Sequence, residues 1–291
     1  MKKLLKRNLF IITITLLVFL LTGCTTDSME NIDIIVTNYP NEYVTKNLYK
    51  EHATITSIYP DGVDIANYEI NDKQKKDFSK KDLFIYNGLI EKERNLALDL
   101  LELNPNLKII DSAYVLETNY SPEELWLNPS SLLMMAQNIR IGLEEYITSN
   151  VLKEEVEEKY ETLKIALSEL DANYRLTIEN TNDKTILVNN SALKFLEKFG
   201  LEVYCIDDNA TDKTISDVKN LIGNKKINYI YTFKGETPNE NTNNILNEYQ
   251  DVKLLELHKL DIISDSERSE KKDYLTIMEE NLNLIKQELY Q

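Results

Sequence analysis

The stretch LKEEVEEKYETLKIALSELDANYRLTI, residues 152–178, contains neither Gly nor Pro and keeps its apolar residues in one register. Leu152, Val156, Tyr160, Leu163, Leu167, Leu170, Tyr174 and Ile178 recur at steps of four and three, which aligns them on one face of an α-helix. At 1.5 Å per residue such a helix spans about 40 Å, longer than an ordinary domain helix. A coiled coil would continue the pattern, whereas this stripe stops after about four heptads. The segment reads as a rigid spine, and its flanks decide what it joins.

On both sides short apolar runs alternate with helical stretches. Before the spine, strand-like runs fall at residues 32–37, 53–59, 82–86 and 108–111, with helices near 42–50, 73–80 and 91–103. After it, strands are expected at 185–189, 202–206, 229–233 and 252–257, with helices near 192–199, 215–222, 241–249 and 274–289. Gly223 is placed to close one of these helices. This alternation specifies parallel β-α-β units, hence an α/β fold of two lobes joined by one long spine helix. The expected division is 32–150 for the N-terminal lobe, 151–180 for the spine and 181–291 for the C-terminal lobe. No internal sequence repeat is evident. In open parallel sheets a ligand sits beyond the C-terminal strand ends, here a cleft between the lobes. Four segments should face it: residues 60–69, residues 122–129, the turn Asn189-Asn190-Ser191, and residues 258–263.

The N-terminus addresses the chain to a membrane surface. Lys2, Lys3, Lys6 and Arg7 precede an apolar run from Leu9 to Leu21, too short for a membrane span but suited to a secretory signal peptide. Leu21-Thr22-Gly23-Cys24 resembles the bacterial lipobox, which implies cleavage after residue 23 and a palmitate-type lipid on Cys24. Residues 24–31 would then be a polar tether, and the protein would sit on the outer side of the cytoplasmic membrane. Cleavage removes four of the 33 Lys and Arg and none of the 49 Asp and Glu, moving the net charge from −16 to −20. So acidic a body should repel nucleic acid and anionic head groups, leaving the Cys24 lipid as the membrane link. Only Cys205 remains besides Cys24, so no internal disulfide forms, and its apolar surroundings suggest an inert buried thiol.

The cleft segments carry a family resemblance. IIVTNYP (34–40), PDGVDIANYE (60–69), KDLFIYNGL (81–89), WLNP (126–129) and the closing helix from Asp273-Tyr274-Leu275 through Met278, Asn281 and Leu282 occur in order. Together they resemble the solute-binding lipoproteins of bacterial zinc and manganese ABC importers, and the second resembles that family's Pro-x-Gly-x-Asp-Pro-His-x-Tyr-Glu loop. The resemblance implies two lobes on one long helix, a divalent metal ion (Mn or Zn) as cargo, no catalytic cofactor, and a membrane permease as partner of a monomeric receptor.

Family members hold the metal with three histidines and a carboxylate, one from each cleft segment. At the matching positions this chain has Ala66, which offers no donor atom, then Glu124 and Asn190. His258 and Asp261 both lie in the fourth segment, and either could take the carboxylate's place. The other histidine, His52, precedes a strand away from these segments, so a three-histidine zinc site is excluded. A set drawn from Glu124, Asn190, His258 and Asp261 would be rich in oxygen and favour Mn²⁺ or a similarly hard ion. The bland readings are that Glu124 is solvated, Asn190 caps a helix, Asp64 and Glu69 shape their turn, and Trp126 and Tyr68 pack. The leading expectation is a receptor for a metal-type ABC importer with a remodelled, histidine-poor site. The alternative is a degenerate member that binds no bare metal and acts as a surface interaction protein or as a receptor for another solute. Enzyme chemistry finds no support: no nucleophile–base pair, Gly-rich phosphate loop or paired-cysteine site is present, and residues 233–236 read as an ordinary turn.

Overall fold

The computed structural model describes residues 29–290, so the signal segment and Cys24 lie outside the described residues. The N-terminal half runs β1 (Ile32–Val36), α1 (Tyr39–Tyr49), β2 (Ala53–Ser57), α2 (Asp72–Phe78), β3 (Leu83–Tyr86), α3 (Glu91–Leu103) and β4 (Lys108–Asp111). Then come α4 (Glu124–Leu127), α5 (Pro129–Tyr146) and the long α6 (Asn150–Glu179). The second half has β5 (Thr185–Val188), a 3₁₀ helix (Ser191–Phe199), β6 (Glu202–Cys205), α7 (Asp212–Gly223), β7 (Tyr229–Phe233), α8 (Glu240–Glu248) and β8 (Lys253–Leu257). The chain closes with α9 (Asp265–Ser269) and α10 (Tyr274–Leu289).

Each half forms one four-stranded, all-parallel sheet, in the orders β2-β1-β3-β4 and β6-β5-β7-β8. The halves repeat one topology without repeating a sequence. In both, the chain reverses its direction of travel at the first strand, so a crevice opens beyond β1 and β3 and another beyond β5 and β7.

The spine is set by its stripe. The buried residues of α6 are Leu152, Val156, Tyr160, Leu163, Leu167, Leu170, Tyr174 and Ile178, and the Ser149 side chain caps its start by accepting from the Leu152 N–H. This face packs on α1, α5 and α10 and gives one continuous core running through both halves. Two smaller apolar layers cover the outer sheet faces, one around Phe84 and Leu100 and one around Ile230 and Val218.

Several expectations shift. Helix α1 begins at Tyr39 and not at residue 42, because Asn38 caps it and Pro40 sits in its first turn. Met29, expected in the tether, is fully buried, and its carbonyl accepts from the Tyr49 hydroxyl at 2.6 Å. Gly223 is the last residue of α7, but the left-handed residue that follows is Lys225, at φ 56°. Helices α4, α5 and α9 were not anticipated. Among the described residues no helix is long and apolar enough to cross a membrane.

Candidate functional site

The two crevices meet at the segment between β8 and α9, and this segment is stitched to the N-terminal half. The indole N–H of Trp126 donates to the Lys259 carbonyl at 2.9 Å, Tyr39 N–H to the Asp261 carbonyl at 2.9 Å, and Gly62 N–H to the Ile263 carbonyl at 3.1 Å. On its other side the Asn281 amide clasps His258, accepting from its N–H at 2.8 Å and donating to its carbonyl at 2.9 Å. Between them Leu260 is buried and left-handed, at φ 62°. A bulky residue in that region stores strain, which persists only where the surroundings over-determine it.

The side chains of this segment converge on a charged group. The Lys259 ammonium lies 3.3 Å from a Glu123 carboxylate oxygen, 3.7 Å from Asp261 and 4.0 Å from Glu236. Burial works to discharge this lysine, but Asp261, Glu123 and Glu236 outweigh it and hold its pKa above the usual value. Burial raises Asp261, against the pull of Lys259. Beside them, the Nε2 of His258 faces a Glu267 oxygen at 3.3 Å, and Lys234 reaches the same oxygen at 3.1 Å. The second Glu267 oxygen accepts from the Ser264 N–H and hydroxyl, closing the capping box of α9. Burial would raise Glu267, yet Ser264, His258 and Lys234 bring it down to about 2. Burial keeps His258 below its ordinary value. The Leu260 N–H donates to His258 Nδ1, so in the neutral ring the proton sits on Nε2, facing Glu267.

The structure brings His258 and Asp261 to this centre, while Glu124 is committed elsewhere and Asn190 touches the group only through its NH₂ on Glu236. The Glu124 carboxylate accepts from the backbone N–H groups of Asn119, Tyr120 and Ser121, so it is the clasp of its own loop and not an open ligand. Asn190 spends its oxygen on the Ala192 N–H and turns its NH₂ toward Glu236, which makes it a helix cap. Ala66 lines a surface groove of about 540 Å³ with Glu69, Lys75 and Lys92, none of which belongs to the charged group. Asp64 shapes that loop by accepting from Ala66 N–H and the Asn67 amide. Among the described residues, no three His, Cys, Asp or Glu side chains stand together as one metal would require.

Sequence reasoning missed Glu123, Lys234, Glu236, Lys259 and Glu267. Lys234 and Glu236 lie in residues 233–236, whose pattern is that of an ordinary turn, and Gly235 makes that turn at φ 81°. One signal was available: Ser264-x-x-Glu267 is a capping-box spacing, and it orients Glu267. A second link between the halves runs through Arg268, whose guanidinium forks onto both Glu42 oxygens at 2.8 Å and also grips Asp61. Gly62 turns the chain beside that contact at φ 72°.

With this geometry in hand, comparison with known proteins identifies the lineage. The profile of the ZnuA family (zinc-uptake complex component A, periplasmic) matches residues 34–288. A metal ABC transporter substrate-binding lipoprotein of Lactococcus lactis is 26% identical over 243 residues, covering 74% of this chain and 76% of that protein. The high-affinity zinc uptake system protein ZnuA of Bacillus subtilis is 22% identical over 285 residues, 89% and 88% of the two chains. The Zn(II)-bound ZnuA-like domain of Streptococcus pneumoniae AdcA shares the fold, with a TM-score of 0.73 at 22% identity over 90% of this chain and all of that one. Members of this family are substrate-binding proteins of ABC transporters and not enzymes. The match spans both sheets and the helix that joins them, and the chain belongs to the ZnuA family.

Proposed function

We propose that this protein is a lipid-anchored receptor, tethered through Cys24 on the outer side of the cytoplasmic membrane, that delivers a divalent cation to an ABC permease. It acts as a monomer, with the ion held between the two lobes by a remodelled, histidine-poor set of donors. The observation that carries the reading is the Lys259 ammonium: a positive charge held between the lobes by Glu123, Asp261 and Glu236, within 4.0 Å of each. A point that favours one cation in this way favours others. The donors available are Asp261, Glu236 and Glu123, while His258 beside them has its Nδ1 engaged by the Leu260 N–H and its Nε2 facing Glu267. Such a set is harder than three imidazoles and accepts Mn²⁺ as well as Zn²⁺. Binding would draw these side chains together across the cleft, and the preference for that closed arrangement is what a permease would read.

Calorimetric titration of the metal-stripped protein with Zn²⁺ and with Mn²⁺ tests this. One equivalent of either ion should bind, and Asp261→Asn should weaken it at least tenfold. Absence of binding for both ions would refute the metal reading. The second reading, a family member serving as a surface interaction protein or as a receptor for another solute, is favoured by the commitments of Glu124 and Asn190 and by donorless Ala66.

A further inference from the structure

We infer that the strand-start end of the N-terminal lobe is a membrane-facing surface, held against phospholipid head groups by a leash of five residues, 24–28. The inference rests on the Cys24 anchor proposed above and adds to it the face that the anchor presents to the bilayer.

The first support is where the leash ends. Met29 is fully buried, its carbonyl accepts from the Tyr49 hydroxyl at 2.6 Å, and a little further on the Ile32 N–H donates to the His52 carbonyl at 3.4 Å. Met29 is also left-handed, at φ 56°, a conformation that a bulky residue keeps only where the packing over-determines it. The chain is thus seated from residue 29 onward. Between that seat and the lipid on Cys24 stand residues 24–28, whose fully extended reach is about 18 Å at most.

The second support is which end of the lobe this is. β1 begins at Ile32, opposite Ala53 at the start of β2, and β3 and β4 run parallel to them in the same sheet. Met29 therefore lies at the end opposite the crevice, which opens beyond the C-terminal strand ends. The spine begins here too: Glu51 takes Lys159 at 3.2 Å and His52 faces Glu155 at 3.2 Å, both in the first three turns of α6. The 30 residues of α6 run about 45 Å from this end to the strand starts of the other lobe, near Asn182 and Lys226.

The third support is charge. The turns that close this end, residues 50–52, 80–82 and 104–108, hold four lysines and two carboxylates, and Glu30 and Asp33 at the entry to β1 bring the face to balance. On a body whose net charge after cleavage is −20, a balanced face is one that an anionic bilayer does not repel. The leash supplies the proximity, and the face tolerates it. The cleft is thereby turned outward, and cargo enters it from the solvent side.

The test is energy transfer on the lipidated full-length chain in vesicles of phosphatidylcholine and phosphatidylglycerol that carry an acceptor dye on the head group. Cys205→Ser clears the second thiol, and a donor dye is placed through Lys80→Cys at the proposed face or through Lys226→Cys at the far end of the spine, both exposed positions. Intact mass first establishes that Cys24 carries its lipid. Transfer from position 80 should be several-fold more efficient than from position 226. A Gly/Ser spacer of about 20 residues after Ser28, about 25 Å in root-mean-square length, should erase most of that difference. Lys50→Cys replaces Lys80→Cys if circular dichroism shows that variant unfolded. Equal transfer from both positions overturns the inference and leaves the anchor intact. A difference that survives the spacer overturns it as well, because the face would then adhere without the leash. A chain of unmodified mass removes the anchor and the inference together, and leaves cation binding to its own titration.

Discussion

Glu93 is a carboxyl buried at the ends of β1 and β3, where it accepts from the Thr37 hydroxyl and the Asn87 N–H. Burial, with Asp111 adding to it, pushes its pKa up to about 7 despite those two donors. The folded chain therefore keeps a proton that the unfolded chain releases near pH 4.5. Its contribution to stability is fully present below that value and is lost as pH rises through 7. Glu93→Gln keeps an oxygen for both donors and removes the titration. Denaturant unfolding at pH 5 and pH 8 should show the native chain losing more stability than the variant across that interval, by on the order of 3 kcal/mol. Equal losses would contradict the argument. At this scale the sequence was least legible. It pointed to Glu124, whose carboxylate clasps its own loop, while the adjacent Glu123 is the one that reaches Lys259, because which of two neighbouring side chains faces the charged group depends on the short α4 helix, itself invisible in the pattern. Asn190 fell to its bland reading, as a cap.

Among the elements, the spine was readable because its eight buried positions are the stripe itself. Helix α5 was not, since Leu132, Leu133, Met134, Met135 and Ala136 form an apolar run without a clean face, although Met134 ends up half-exposed. Its start was marked by Asn128-Pro129, a cap followed by proline in the first turn. Within α5, Gly142 lets the helix approach β4: a Cβ there would stand 2.7 Å from the Ile110 side chain. Alanine is the better helix former by about 1 kcal/mol, but overpacking costs about 1–3 kcal/mol, so the clash should prevail. Gly142→Ala should lower stability by about 1 kcal/mol in equilibrium unfolding. A stabilised variant would mean that Ile110 yields freely.

Over the whole molecule, the alternation of strands and helices told of two sheets and a spine, and the ZnuA-family match and the topology agree with that. What joins the halves could not be read, because the links connect residues far apart in sequence: Trp126 with Lys259, and Arg268 with Glu42 and Asp61. Arg268→Ala would leave the buried Glu42 carboxylate with Lys46 as its remaining cation. A loss of about 2–4 kcal/mol is expected in thermal or denaturant unfolding, with faster amide exchange in residues 258–268. An unchanged exchange pattern would show that the stitching of the backbone suffices alone. The central claim, that the cleft between the lobes takes a divalent cation at the place now held by an ammonium, is tested most directly by crystallography. Crystals grown with Zn²⁺ or Mn²⁺ should give one anomalous peak within coordination distance of Asp261 and Glu236, with the Lys259 side chain withdrawn. Peaks confined to the acidic outer surface, with Lys259 still among its three carboxylates, would contradict it.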